Sequence, residues 1–131
     1  VELRVRFPVD DEVLSALHAL AFGSPPGHVV PWAARLERHA LTWVGAFDND
    51  TLIGFVQVCW DGGVHAFVLD TAVHPDHGRQ GIGAQLVARA AEEARAAGCE
   101  WLHVDYEPHL TSFYVDACGF TPTDAALLKL R

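Results

Sequence analysis

The sequence predicts an α+β domain of three layers. Helices flank a mixed central sheet that combines an antiparallel meander with one parallel, splayed strand pair. Three observations predict it. The hydrophobic period is helical before residue 41, alternating and β-branched from there to residue 73, and helical again from residue 82. Turn residues, Asp48-Asn49-Asp50 and Asp61-Gly62-Gly63, join three successive strand-like runs. A helical stretch then separates the third run from the next strand, which requires a parallel pair and a right-handed crossover.

In chain order, Leu3 to Val9 reads as a first strand, alternating Leu3, Val5 and Phe7 with Arg4 and Arg6. Asp10-Asp11-Glu12 supplies an N-cap and an acidic first turn to a helix reaching about Phe22, with Leu14, Leu17 and Ala21 on one stripe. His18 lies beside that stripe and reads as core-edge packing. Gly23-Ser-Pro-Pro-Gly27 breaks the chain, and Pro31 opens a second helix to about Ala40 with Trp32 on its apolar side. Strands follow over Thr42–Phe47, Leu52–Trp60 and Val64–Val73. The next helix runs from Ile82 to Ala97, burying Ile82, Leu86, Ala90 and Ala94 and ending at Gly98. Trp101 to Tyr106 is the parallel strand. Glu107-Pro108 begins a last helix carrying Leu110, Phe113, Tyr114 and Ala117 and stopping at Gly119. Phe120 onward is expected to supply one or two terminal strands.

A chain of 131 residues is one domain, residues 1–131, without repeat or linker. Half of it is hydrophobic and a fifth charged, a globular composition, and no apolar run reaches the length of a membrane span or signal peptide. The chain opens on Val1 and contains no Met, read here as loss of an initiator or a few leading residues. A net charge of −8 argues against nucleic acid, which needs basic surface, and suits a cationic amine. Cys59, Cys99 and Cys118 are odd in number and set in apolar segments, as expected for reduced thiols in the cytoplasm. The eight histidines show no metal-ligand spacing, so no metal is expected.

The stretch that carries chemistry is Leu69 to Ala84, a strand end, a loop with Gly78, Gly81 and Gly83, and a helix start. Glycines free the backbone to expose successive N–H groups, and a helix N-terminus adds unpaired N–H groups with partial positive charge. Such a layout binds anions. It is not a dinucleotide fingerprint, because the third glycine position is Leu86. It is not a P-loop either, because Ala84 follows Gly83 where Lys is required.

Val73-His74-Pro75 followed by Gly81-Ile82-Gly83 resembles the pyrophosphate loop of the GNAT superfamily of N-acyltransferases, with Gly78 in place of its leading Arg or Gln and Arg79 one position later. A second motif, Phe113-Tyr114-Val115-Asp116-Ala117-Cys118-Gly119-Phe120, is similar to the segment that follows in that family. The resemblance in element order covers nearly the whole chain. It implies acetyl-CoA as co-substrate, with Gly78, Arg79, Gln80, Gly81, Ile82, Gly83 and Ala84 on the pyrophosphate and Thr71, Ala72 and Val73 along pantetheine. It implies Tyr114 as the acid that protonates the departing thiolate. Packing between Leu110 and Ala117 explains Tyr114 from spacing alone.

The resemblance also implies transfer to a primary amine on a small molecule or peptide. The base is left open: the family's usual strand position falls at Phe67, which takes no proton, so Asp70 and Glu107 are the leading candidates, with Asp105 and His65 behind them, acting directly or through a water chain to one of the carboxylates. Glu107 could equally be a helix-start carboxylate. A domain that binds acyl-CoA without transferring it is the alternative, and a homodimer through the terminal strands is a further expectation.

Overall fold

A computed structural model describes all residues, 1–131. Five strands form one sheet in sequence order: β1 (Glu2–Val5), β2 (Ala40–Asp48), β3 (Thr51–Trp60), β4 (His65–Val73) and β5 (Trp101–Val104). β1 to β4 are antiparallel neighbours, and β5 lies parallel to β4. The crossover is α3 (Ile82–Ala96). Its residues Ile82, Leu86, Ala90 and Ala94 pack on Val44, Val56, Ala66 and Val68, the core of one sheet face.

The other face is covered by α1 (Asp11–Phe22) and α2 (Trp32–His39). Asp10 caps α1 by accepting from the N–H groups of Glu12 and Val13, and Gly23 ends it with φ 67°. Leu14, Leu17, Trp32 and Leu36 meet Trp43, Phe47 and Phe55 beneath these helices. Trp32 and Trp43 are therefore core residues, 2% and 3% exposed. Burying two apolar faces of one sheet is what gives three layers.

Two expectations at the ends are corrected. β1 stops at Val5 instead of Val9, since Arg6 turns the chain with φ 52°. After β5, a 3₁₀ turn over Pro108–Leu110 and a π-helical turn over Ser112–Ala117 replace the expected α-helix, and no strand forms beyond Phe120. Leu127, Leu128 and Leu130 are more than four-fifths exposed. Their composition suits a strand, but pairing needs an edge to meet, and the tail meets none within the chain.

Candidate active site

The loop after β4 is assembled by short-range hydrogen bonds. Pro75–His77 makes a 3₁₀ turn, His74 Nδ1 accepts from the Asp76 N–H at 3.1 Å, and the Gly78 N–H donates to Pro75 O at 3.3 Å. Gly78 is thus spent on the turn, with an ordinary φ of −64°. Beyond it Arg79 and Gly81 adopt left-handed angles, φ 62° and 78°. None of the N–H groups from Arg79 to Ala84 donates a hydrogen bond within the chain, and no side chain caps α3. Six consecutive donors at the positive end of a 15-residue helix form a seat for an anion.

The strand leading to this seat opens as it arrives. β4 and β5 pair from His65↔Trp101 to Val68↔Val104 and then stop, leaving the β5 side of residues 69–73 unpaired. On its other side β4 pairs with β3 through a bulge: Gln57↔Leu69 is followed by Phe55↔Ala72, so Asp70 and Thr71 oppose Val56 alone. Asp70 takes a left-handed φ of 59°, strained for a residue with a side chain. Two hydrogen bonds hold it there. Its Oδ1 meets His18 Nε2 of α1 at 2.9 Å, and its Oδ2 accepts from Gln57 Nε2 at 2.6 Å.

Tyr114 reaches the opening from the π-helical turn, a conformation that recurs at functional sites. Its neighbour Phe113 lies against Gly83, where an added Cβ would sit 3.1 Å from two ring carbons. Gly83 therefore serves close packing between the helix start and this turn as well as the loop. The Tyr114 ring stacks on Tyr106 at 5.4 Å and meets Phe120 edge-on at 5.9 Å. Burial pushes the phenol pKa up, the Thr71 hydroxyl draws it partly down, and the Cys118 thiol adds to the rise. Thr71 Oγ1 is itself buried without a partner within hydrogen-bond distance.

The sequence-predicted residues divide accordingly. Thr71, Ala72 and Val73 line the open strand edge, and Arg79, Gln80, Gly81, Ile82, Gly83 and Ala84 carry the open amides. Asp70 lies within the bulge between them and α1. Glu107 stands apart: its side chain is 80% exposed and its charged neighbour is His109 at 3.5 Å. Phe67 lies stacked on His103, whose Nε2 is 2.7 Å from His65 Nδ1. No group of three metal-ligating side chains is gathered anywhere. The residue that sequence reasoning missed is His18, whose partner is 52 positions away.

The fold is that of an acetyltransferase family. Residues 12–120 match the model of the acetyltransferase (GNAT) family, and the chain belongs to that family. Its curated relatives include an uncharacterized N-acetyltransferase, ycf52, from Pyropia yezoensis, 30% identical over 66 residues, covering 50% of this chain and 38% of the relative. The protein of the same name from Porphyra purpurea is 31% identical over 68 residues, 51% of this chain and 39% of that one. The matched segment thus spans under half the length of these relatives.

Among solved structures, a putative acetyltransferase from Agrobacterium tumefaciens superposes with a TM-score of 0.86 at 21% identity over the full length of both chains. An aminoglycoside N-acetyltransferase solved in complex with CoA gives 0.73 at 20% identity, covering 99% of this chain and 93% of that one. At such identities these structures speak for the fold. No helix here is long and apolar enough to cross a membrane.

Proposed function

We propose that the chain is an acetyl-CoA-dependent N-acetyltransferase acting on a primary amine, either a small molecule or an exposed amino group of a peptide. The observation that carries this reading is the run of six unpaired amides from Arg79 to Ala84 beside an opened strand edge and a buried phenol. When bound, acetyl-CoA supplies an acetyl thioester, and the residues present fit it: the open amides suit a diphosphate, the free edge of Thr71–Val73 suits an amide-bearing arm, and Thr71 Oγ1 is an orphaned polar atom beside it.

In this reading the amides of residues 79–84 hold the pyrophosphate, and the backbone of Thr71–Val73 orients pantetheine. An N–H at the same edge faces the thioester oxygen, where negative charge gathers. Tyr114 gives its proton to the departing sulfur. The upward shift of its pKa favours that role, because the phenol stays protonated at neutral pH. Asp70 and Glu107 both remain on the base side of the proposal; Asp70 accepts from Gln57 and meets His18, whereas Glu107 has only the exposed His109 beside it. The charge of −8 suits a cationic acceptor, and three unbridged cysteines suit a reducing compartment such as the cytoplasm.

The test is CoA thiol release from acetyl-CoA across an amine panel, with mass spectrometry of the acceptor. Release matched by an acetylated amine is expected. A rise in melting temperature with acetyl-CoA but no release with any amine would overturn the transfer reading and leave an acyl-CoA-binding module, and the absence of both a melting shift and release would overturn both.

A further inference from the structure

We infer that His18 is the group that takes the proton from the acceptor amine, with Asp70 as its positioning residue; the inference rests on the acyl-transfer reading above. The two side chains are 27% and 26% exposed, so the pair is sheltered without being sealed. A carboxylate accepts and cannot donate, so the 2.9 Å contact assigns the hydrogen to His18 Nε2. The lone pair then lies on Nδ1, which makes no hydrogen bond within the chain. The ring is fixed by stacking on Phe22 at 4.4 Å and by Trp32 at 5.1 Å. Gln57 fixes the carboxylate from the other side.

The bulge gives this pair its place in the site. Asp70 and Thr71 are consecutive, yet Asp70 is bonded to α1 while the Thr71 hydroxyl, buried without a hydrogen-bond partner, is the group that offsets the rise of the Tyr114 pKa. The proposed acid and the His18 base are therefore served by adjacent residues of β4, at the point where the strand parts from β5. An interlock between α1 and β4 would need neither the left-handed angle at Asp70 nor an unpaired Nδ1 on a ring that keeps 27% of its surface exposed. The other groups around the pair are Gln57 and Cys59 of β3 and Arg35 of α2, which lies over the Trp32 ring. Burial first, and then the Asp70 charge, push the Cys59 thiol up while Arg35 opposes them, so Cys59 stays a neutral neighbour.

The step balances as follows. The cationic acceptor first releases one proton to solvent; the neutral amine nitrogen then bonds to the acetyl carbon and the carbon–sulfur bond breaks. The nitrogen's surplus proton goes to His18 Nδ1, and the sulfur gains the Tyr114 proton. Proton exchange with solvent resets both groups, leaving an amide and a free thiol.

The test compares kcat/KM against pH in the wild type, His18→Gln and Asp70→Asn, referred at each pH to the concentration of neutral amine so that the acceptor's own ionisation drops out, with the acetyl-CoA melting shift measured in each. Gln at position 18 keeps a donor for Asp70. The expected result is a wild-type rate that falls on the acid side, a His18→Gln rate lower by about 10²–10⁴-fold without that fall, and an unchanged melting shift. Added imidazole should restore at least a tenth of the lost rate to His18→Ala. Asp70→Asn should lower the rate and displace the acid limb, and it decides the matter if the His18 variants do not fold. A wild type that releases thiol, beside His18 variants that keep the acid limb and a rate within threefold, overturns this inference alone. A wild type that releases none overturns the acyl-transfer reading and this inference with it.

Discussion

Replacing Tyr114 by Phe removes one oxygen and leaves every ring contact in place. The ring is 7% exposed and held by Tyr106, Phe113 and Phe120, and the nearby Thr71 Oγ1 lies beyond hydrogen-bond distance, so only a weak polar contact is lost. The change in stability should stay within about 1 kcal/mol, or roughly 4 °C in Tm for a chain of this size. If the phenol protonates the leaving thiolate, its loss removes about 10²–10⁴ in kcat. At about 1.36 kcal/mol per decade, that is roughly 2.7–5.4 kcal/mol of barrier. The two magnitudes separate cleanly. Thiol release under saturating acetyl-CoA gives the first and a melting curve with and without acetyl-CoA gives the second. A Tyr114→Phe protein that turns over within threefold of the wild type would refute the acid role and return the ring to packing alone.

Other outcomes follow from the same geometry. Gly81→Val forces a β-branched residue into φ 78° at the head of α3 and should abolish the acetyl-CoA melting shift, while circular dichroism keeps the helix signal. Leu86→Ala opens a cavity at a fully buried position beneath α3 and should cost about 2–5 kcal/mol in urea unfolding. Alkaline titration should destabilise the fold through three groups. Burial raises the pKa of Tyr114, Cys59 and Cys118 above their ordinary values, so the unfolded chain releases these protons first. Stability is then whole below those ordinary values, near 9.0 for the thiols and 10.0 for the phenol, and declines as pH climbs from them through the raised folded values. Tyr114→Phe should flatten the upper part of that decline.

What was legible in the sequence was whatever local chemistry decides. The period of Ile82, Leu86, Ala90 and Ala94 places α3 on the sheet, and the turn residues Asn49 and Asp50 place a hairpin, because each depends on neighbours a few positions away. The glycine loop was visible for the same reason, although which amides stay open was not: Gly78 closes a turn on Pro75, so the seat begins at Arg79. The His18–Asp70 contact was invisible. It depends on a bulge that no glycine marks, and the helical stripe presented His18 as core-edge packing, which its Phe22 and Trp32 contacts also satisfy. The tail shows the opposite failure, since Ala125 to Leu130 carries strand composition without an edge to pair with.

The central claim is that the main chain from Arg79 to Ala84 grips a diphosphate. Its most direct test is a titration of the ¹⁵N-labelled protein with CoA, followed by amide chemical shifts. The account predicts large, saturable shifts at residues 79–84, smaller ones at Thr71–Val73, and competition by inorganic pyrophosphate at the loop alone. Saturable CoA binding that leaves the amides of residues 79–84 unmoved would contradict it.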